Sequence, residues 1–245
     1  MRGHAETLWR DARPEDVRFV APSESLPEAA RLYLRHAIAP GTPLARAVRL
    51  RMHGDIRLKG WLPLTAEQVV LAERGMVWEA RTKMHGLPVS GFDEIVEGRG
   101  RGVWKAFGMI PVMSADGADV SRSVAGRMAS ESVLVPSLLL RDNVVWKESS
   151  GLQARFLMTL FGHTTEVALS LAATGRVETI QLQRWGNPTG QPFGLYSFGG
   201  YADEERAFAG FTIPSRLRMG WHFGTDGFEN DGEFFRASID DAEYR

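Results

Sequence analysis

The chain has 245 residues, of which 44% are hydrophobic and 24% are charged, and this composition is ordinary for a globular protein. The 29 basic and 30 acidic residues leave a net charge of −1, which argues against a general binder of nucleic acid or anionic membranes and leaves only local basic strips open. Because the chain has no cysteine, disulfides, thiolate metal sites and cysteine nucleophiles are excluded.

The first residues carry charges throughout and lack the apolar run of a signal peptide. Further along, no stretch approaches the roughly 18 apolar residues that a membrane span needs. We therefore expect a soluble cytoplasmic protein. Residues 1–24 are polar and contain Pro14 and Pro22, which predicts a flexible N-terminal arm, and residues 25–245 are predicted to form a single domain.

Three segments have the pattern of helices. Residues 26–38 follow Ser25, a capping residue type, and have a proline in the first turn. Residues 65–74 begin with T-A-E-Q, which fits a capping box. Residues 118–133 repeat apolar side chains every four positions and end before Pro136.

The longest strand pattern runs over residues 75–108. Residues 76–84 alternate between apolar and mostly charged side chains, as in a half-buried strand. Gly98, Gly100 and Gly102 recur at every second position, so one face there carries no side chains, which is typical of a bend or of close approach by another element. We predict a long bent hairpin with the third helix packed over this glycine strip.

Further alternating segments predict more strands. Residues 47–61 read as a tight hairpin with its turn at His53-Gly54-Asp55, and glycine-separated strand patterns follow from residue 143 onward. Consecutive strands without intervening helices form mainly antiparallel sheets. We predict an α+β fold, in which a single large, curved, half-barrel-like and mainly antiparallel sheet of about ten strands has about three helices packed across it.

A search for active-site motifs is negative. The sequence contains no G-x-S-x-G elbow, H-E-x-x-H or Walker loop, and its six histidines are scattered singly. We therefore predict no catalytic residue, no metal site and no cofactor.

Candidate ligand-binding residues come from the tryptophans and from a few charged positions. Aromatic side chains chiefly build cores, but in a curved sheet they also line apolar cavities. Arg127 and Glu131 form an i, i+4 pair, Arg81 and Lys105 are expected on adjacent strands as an anion-binding patch, and Arg184 adjoins a tryptophan. The predicted ligand-binding residues are Trp78, Arg81, Trp104, Lys105, Arg127, Glu131, Trp146, Arg184 and Trp221.

Three functions remain open. The first is a binding protein that holds an apolar or amphipathic small molecule in the concavity of the sheet, with Arg81 or Arg127 receiving a polar head. The second is a hydrolase-like enzyme with Glu131 as base and Arg127 or Lys105 steadying an anion, because catalytic groups need not be close in sequence. The third is a structural or partner-binding module, which would present a flat apolar patch. No nucleic-acid partner is expected.

Several short motifs follow one another in a fixed order: Gly75-Met76-Val77-Trp78-Glu79-Ala80-Arg81, Gly98-x-Gly100, Lys105-Ala106-x-Gly108, Arg127-x3-Glu131-x4-Pro136, Arg184, Ile213-Pro214 and Gly220-Trp221. This ordered set resembles a bacterial family whose domain is of unknown function. The resemblance extends from Leu26 to Ile239 and implies no activity and no catalytic residue. The element order is also similar to the folds of bacterial lipoprotein carriers and outer-membrane lipoprotein-sorting proteins, which implies a half-barrel that holds acyl chains under helices.

Overall fold

A computed structural model describes residues 3–148 and 150–245 of the chain. Its main element is one curved antiparallel sheet of 13 strands, a half-barrel, as the alternating patterns predict. The strands are β1 (Ala47–Arg57), β2 (Trp61–Leu71), β3 (Gly75–Met84), β4 (Leu87–Val96), β5 (Arg99–Ala106), β6 (Ile110–Asp116), β7 (Val144–Lys147), β8 (Gln153–Leu160), β9 (His163–Leu171), β10 (Val177–Gly186), β11 (Gly194–Phe208), β12 (Phe211–Trp221) and β13 (Glu233–Tyr244).

The sheet consists of two meanders joined by one long-range pairing. Strands β1 to β6 follow one another outward, strands β7 to β13 follow one another back, and β13 pairs with β1. Every pairing is antiparallel, and each edge of the sheet is a short strand, β6 at one side and β7 at the other. Short edge strands limit pairing with other chains.

The predicted count of about ten strands is too low, in part because the segment that resembled a capped helix is strand β2. Gln68 of β2 lies opposite Leu50 of β1 on one side and Trp78 of β3 on the other, so the backbone of this segment bonds to two neighbouring strands. Residues 64, 66, 68 and 70 point to the buried face with a period of two. Tertiary pairing has therefore overridden the local capping signal.

Two predicted turns also lie elsewhere. The hairpin of β1 and β2 reverses at residues 58–60, and Gly54 lies within β1, where a Cβ atom would lie 1.9 Å from the carbonyl oxygen of Arg236. The predicted long hairpin is three strands, β3, β4 and β5, because the chain reverses at Glu97-Gly98, where both residues have positive φ. Glycine readily adopts this backbone conformation.

In the described part of the chain, three α-helices accompany the sheet: α1 (Gly3–Asp11), α2 (Glu28–Ala37) and α3 (Ala118–Ser130). Helix α2 begins after Pro27 without a side-chain cap, so Ser25 does not have the predicted role. Helix α3 ends three residues before the predicted limit and continues as two 3₁₀ turns, Glu131–Leu134 and Pro136–Leu140.

The two faces of the sheet are covered differently. We call the face that carries Leu50 and Trp78 the inner face; α2, α3 and the 3₁₀ turns share one hydrophobic core with it. Gly100 and Gly102 of the glycine strip lie on this face, whereas Gly98 lies in the turn between β4 and β5. Helix α3 packs over the strip at Gly100, where a Cβ atom would lie 2.5 Å from the Cα of Ser121. The backbone N–H of Gly100 donates to Ser121 Oγ at 2.8 Å.

Helix α1 packs on the opposite, outer face, where the sequence predicted a loose arm. Its residues Leu8 and Trp9 are buried against Val69 and Val77. Arg49 lies 4.8 Å from the centre of the Trp9 ring. The outer face thus offers a small apolar surface against which Leu8 and Trp9 are buried. Burial of these two side chains stabilises helix α1. None of the helices in the described ranges is long and apolar enough to cross a membrane.

Candidate functional site

A cavity of about 150 Å³ lies on the inner face, between the C-terminal part of α3 and the strands on both sides of the β1–β13 pairing. Most of its wall is apolar, since the period-two pattern of these strands directs alternate side chains inward. The apolar lining residues are Met52, Ile56, Trp78, Val133, Leu134, Ile180, Phe198, Leu217, Met219, Phe234, Phe235, Ala237 and Ile239.

One part of the wall is a bonded cluster of polar side chains. Arg127 of α3 donates from Nε to Glu131 Oε1 at 2.7 Å and from Nη1 to Asp93 Oδ2 at 3.3 Å. Gln68 of β2 donates to the other oxygen of Glu131, Oε2, at 2.6 Å. These bonds connect α3 to β2 and β4, so the cluster holds the helix over the sheet.

The charge of Arg127 is neutralised within this cluster. Burial lowers the pKa of its guanidinium, but the Glu131 and Asp93 carboxylates outweigh that effect and hold the pKa above its usual value. The guanidinium carbon also lies 5.0 Å from the centre of the Trp78 ring, in position for a cation–π contact.

Arg184 of β10 also reaches the cavity, but no carboxylate accompanies it. Its side chain is buried and donates to the carbonyl oxygen of Ser123 at 3.2 Å and to Ser123 Oγ at 3.4 Å. The guanidinium carbon lies 4.6 Å from the Phe198 ring centre and 5.1 Å from that of Trp221. Within residues 3–148 and 150–245, no carboxylate oxygen lies within 4.0 Å of its nitrogens.

This environment changes the electrostatics of Arg184. Burial lowers the pKa of its guanidinium to about 10, and the nearby Arg127 charge lowers it as well, against smaller opposing effects of Glu131 and Asp93. A pKa near 10 still leaves the group protonated at neutral pH. Arg184 is therefore a buried positive charge that its own protein only partly satisfies.

Trp78 adds a second unsatisfied donor to the wall. Its indole Nε1–H is buried, and none of the described residues accepts a hydrogen bond from it. Buried N–H groups without an acceptor are uncommon in folded proteins. The nitrogen itself is covered by surrounding protein atoms, so the structure does not open this donor to the cavity.

The structure brings four of the predicted ligand-binding residues to the cavity: Trp78, Arg127, Glu131 and Arg184. Trp221 does not line the cavity, but its ring contacts the guanidinium of Arg184. The other two tryptophans pack elsewhere: the ring centre of Trp104 is 5.9 Å from that of Trp78, and Trp146 packs against Phe156.

Arg81 and Lys105 are not on adjacent strands, contrary to expectation. They lie on β3 and β5 with Ser90 of β4 between them, and this row is on the outer face. The hydrolase-like arrangement of Glu131, Arg127 and Lys105 in one pocket is therefore not assembled. Arg81 instead borders a shallow outer groove of about 520 Å³ with Glu67.

Three polar cavity residues, Gln68, Asp93 and Ser130, escaped the sequence analysis. Gln68 was assigned to a helix by its capping box, although the alternation of residues 64–70 is the signal that would have placed it on the inner face of a strand. Asp93 lies directly opposite Trp78 on the neighbouring strand, a register that the sequence does not specify.

Three solved structures are similar to this chain at low sequence identity. They are a domain assigned by name to outer membrane lipoprotein sorting from Vibrio parahaemolyticus (TM-score 0.41, 8% identity, 81% of this chain and 85% of that chain), a LolA superfamily protein from Nitrosomonas europaea (TM-score 0.47, 8% identity, 89% of this chain and 92% of that chain) and a DUF1329 family protein from Desulfovibrio piger (TM-score 0.34, 11% identity, 88% of this chain and 91% of that chain). No curated protein matches the chain.

A family model gives the assignment that the short motifs predicted. It matches residues 24–244, which include every cavity residue and leave out helix α1. The chain therefore belongs to the family of unknown function DUF6920.

Proposed function

We propose that this protein binds a small amphipathic anion in the inner cavity, with its apolar part against the aliphatic and aromatic wall and its anionic group on Arg184. The observation that carries the proposal is the buried guanidinium of Arg184, a residue of the cavity wall whose nitrogens have no carboxylate oxygen within 4.0 Å in residues 3–148 and 150–245.

Electrostatics favours Arg184 over the head-group residues that the sequence suggested. A buried charge without a full set of partners costs free energy, and an anion would recover it through charge-assisted hydrogen bonds. Arg127 already bonds to Glu131 and Asp93, so an incoming anion would compete with both carboxylates. Arg81, on the outer face, does not reach the cavity.

The cavity volume limits the apolar part of the ligand. An engineered apolar cavity of roughly 150 Å³ binds benzene, so a single ring or a short branched chain matches the space described here. A long acyl chain would fit only if side chains such as Met52, Met219 and Phe235 moved aside. A compact aryl or short acyl carboxylate therefore suits the cavity best.

A matched pair of probes tests the proposal. Benzoate and benzyl alcohol have similar size and differ in charge, and quenching of tryptophan fluorescence reports binding beside Trp78. We expect benzoate to bind more tightly than benzyl alcohol. We expect Arg184→Met to weaken benzoate binding by about tenfold or more, as the loss of charged hydrogen bonds predicts, with little effect on benzyl alcohol.

The control is Arg155→Met, since Arg155 is half exposed on β8 and outside the cavity. Equal binding of the two probes to the wild-type protein, or no binding of either, would contradict the proposal.

A further inference from the structure

Three neighbouring turns lie at the same end of the sheet. Antiparallel strands reverse at alternate ends, so the β1–β2, β3–β4 and β5–β6 turns emerge side by side. The backbone N–H of Phe107 donates to the carbonyl oxygen of Pro88 at 2.9 Å, which joins the second turn to the third. We call residues 57–61, 83–88 and 105–111 the turn surface.

The turn surface exposes large apolar side chains. Met109 is 76% exposed, the highest value among the large apolar residues of the three turns, and every turn contributes at least one exposed apolar residue. A concentration of such side chains on a folded protein marks an interaction site, whereas single exposed apolar residues are ordinary. The exposed apolar residues are Leu58, Leu87, Phe107, Met109 and Ile110.

The charges of the turn surface are all positive. Its three segments contain Arg57, Lys59, Lys83, His85 and Lys105 and no aspartate or glutamate. Arg57 pairs with a neighbouring carboxylate at 3.2 Å, but in the described part of the chain none of the three lysines forms an ion pair. This local excess contrasts with the net charge of −1 for the whole chain.

Acidic residues border the turn surface. Asp55 lies on β1 two residues before Arg57, and Asp226, Glu229 and Asp231 lie on the connection between β12 and β13, where Asp231 is the partner of Arg57. They bound the positive area on one side, so it is confined to the turns of β1 to β6.

We propose that the turn surface docks on an anionic lipid bilayer. Apolar side chains at the tips of turns would enter the headgroup region, while the lysines beside them would meet lipid phosphates. Two other occupants suit it less well. Strand addition at the β6 edge is opposed by Pro111, which has no N–H to donate. Self-association through this surface would bring like charges together.

Vesicle flotation tests this docking with the full chain. We expect the protein to float with vesicles of phosphatidylglycerol and phosphatidylcholine in equal parts, and not with phosphatidylcholine alone. Raising the salt concentration should release it, because salt screens the lysine charges.

Two substitutions separate the apolar and the electrostatic contributions. Met109→Ser should weaken partitioning by about tenfold, the effect of removing one inserted apolar side chain. Replacing Lys59 and Lys83 by glutamate should weaken it by at least about fivefold for each charge removed. The matched controls are Val145→Ser and Lys147→Glu on β7, the other edge of the sheet, where Val145 is 54% exposed. Neither control should change partitioning.

Several results would overturn the proposal. They are equal flotation with both kinds of vesicle, flotation with neither, and equal effects of the Met109 and Val145 substitutions. Self-association that Met109→Ser abolishes, without flotation, would assign the surface to a protein contact instead.

Discussion

Two arginines line one cavity, Arg184 buried and Arg127 partly buried, and their surroundings differ. Arg127, on α3, bonds to Glu131 and Asp93, and its charge is neutralised where it lies. Arg184, on β10, bonds to Ser123 and stacks on two aromatic rings. The first arrangement holds a helix onto a sheet, whereas the second keeps a positive charge available. Arg127 therefore stabilises the fold, whereas the surroundings of Arg184 suit an anionic ligand.

Removing the Glu131 carboxylate should have the largest effect on stability, because it breaks the ion pair that neutralises Arg127. Glu131→Ala leaves Arg127 with Asp93 alone and leaves the Gln68 amide without its acceptor. We expect the free energy of unfolding to fall by about 3 kcal/mol, the lower end of the range for broken buried pairs. Urea denaturation followed by tryptophan fluorescence measures this change.

The control for that substitution is an exposed ion pair. Glu204 and Arg216 lie 3.1 Å apart with both side chains 61% exposed, so Glu204→Ala should cost less than about 1 kcal/mol. Equal losses in the two variants would show that the Arg127 cluster contributes no more than a surface pair.

The pH dependence of anion binding should follow the protonation of the Arg184 guanidinium. Because burial lowers the pKa of Arg184 to about 10, its proton is present at neutral pH and is lost as the pH rises through 10. Benzoate affinity should therefore be constant from about pH 7 to pH 9 and fall by about tenfold per pH unit well above 10. Isothermal titration calorimetry would follow it. A fall near pH 7 would identify a different titrating group.

Of the substitutions at the two arginines, Arg184→Met should have the smaller effect on the free energy of unfolding. Methionine keeps the side-chain length and removes an incompletely partnered charge, so we expect Arg184→Met to change the free energy of unfolding by no more than about 1 kcal/mol, in either direction. Arg127→Met is the matched substitution. It should be clearly destabilising because it leaves the Glu131 and Asp93 carboxylates without their positive partner. If Arg184→Met is the more damaging variant in thermal unfolding, Arg184 has a structural role.

The parts of the fold that were predictable have strong local patterns. The alternation of residues 76–84 correctly predicted strand β3 and its buried face, since the side-chain period of a strand is two. The apolar stripe before Pro136 predicted α3, and the glycine strip predicted that a helix would pack there. The prediction failed where two local signals competed, as in β2, whose capping box and alternation overlap.

The candidate site was predictable only in part. Trp78, Arg127, Glu131 and Arg184 were identified by residue type, and the structure places all four on the cavity wall. Their roles were not predictable, because the partners of each charge come from other strands. The sequence shows the Arg127–Glu131 pair, because residues four positions apart on a helix are neighbours. It does not show that Asp93 and Gln68 join this pair.

By itself, the sequence determined the strands with clear alternation and their inward side chains, because these depend on backbone geometry within a few residues. Tertiary structure alone decided that β13 pairs with β1, that β10 places Arg184 beside α3, and that Arg184 has no carboxylate partner among the described residues. Backbone hydrogen bonds are the same for every strand, so which strands become neighbours depends on the packing of the whole core.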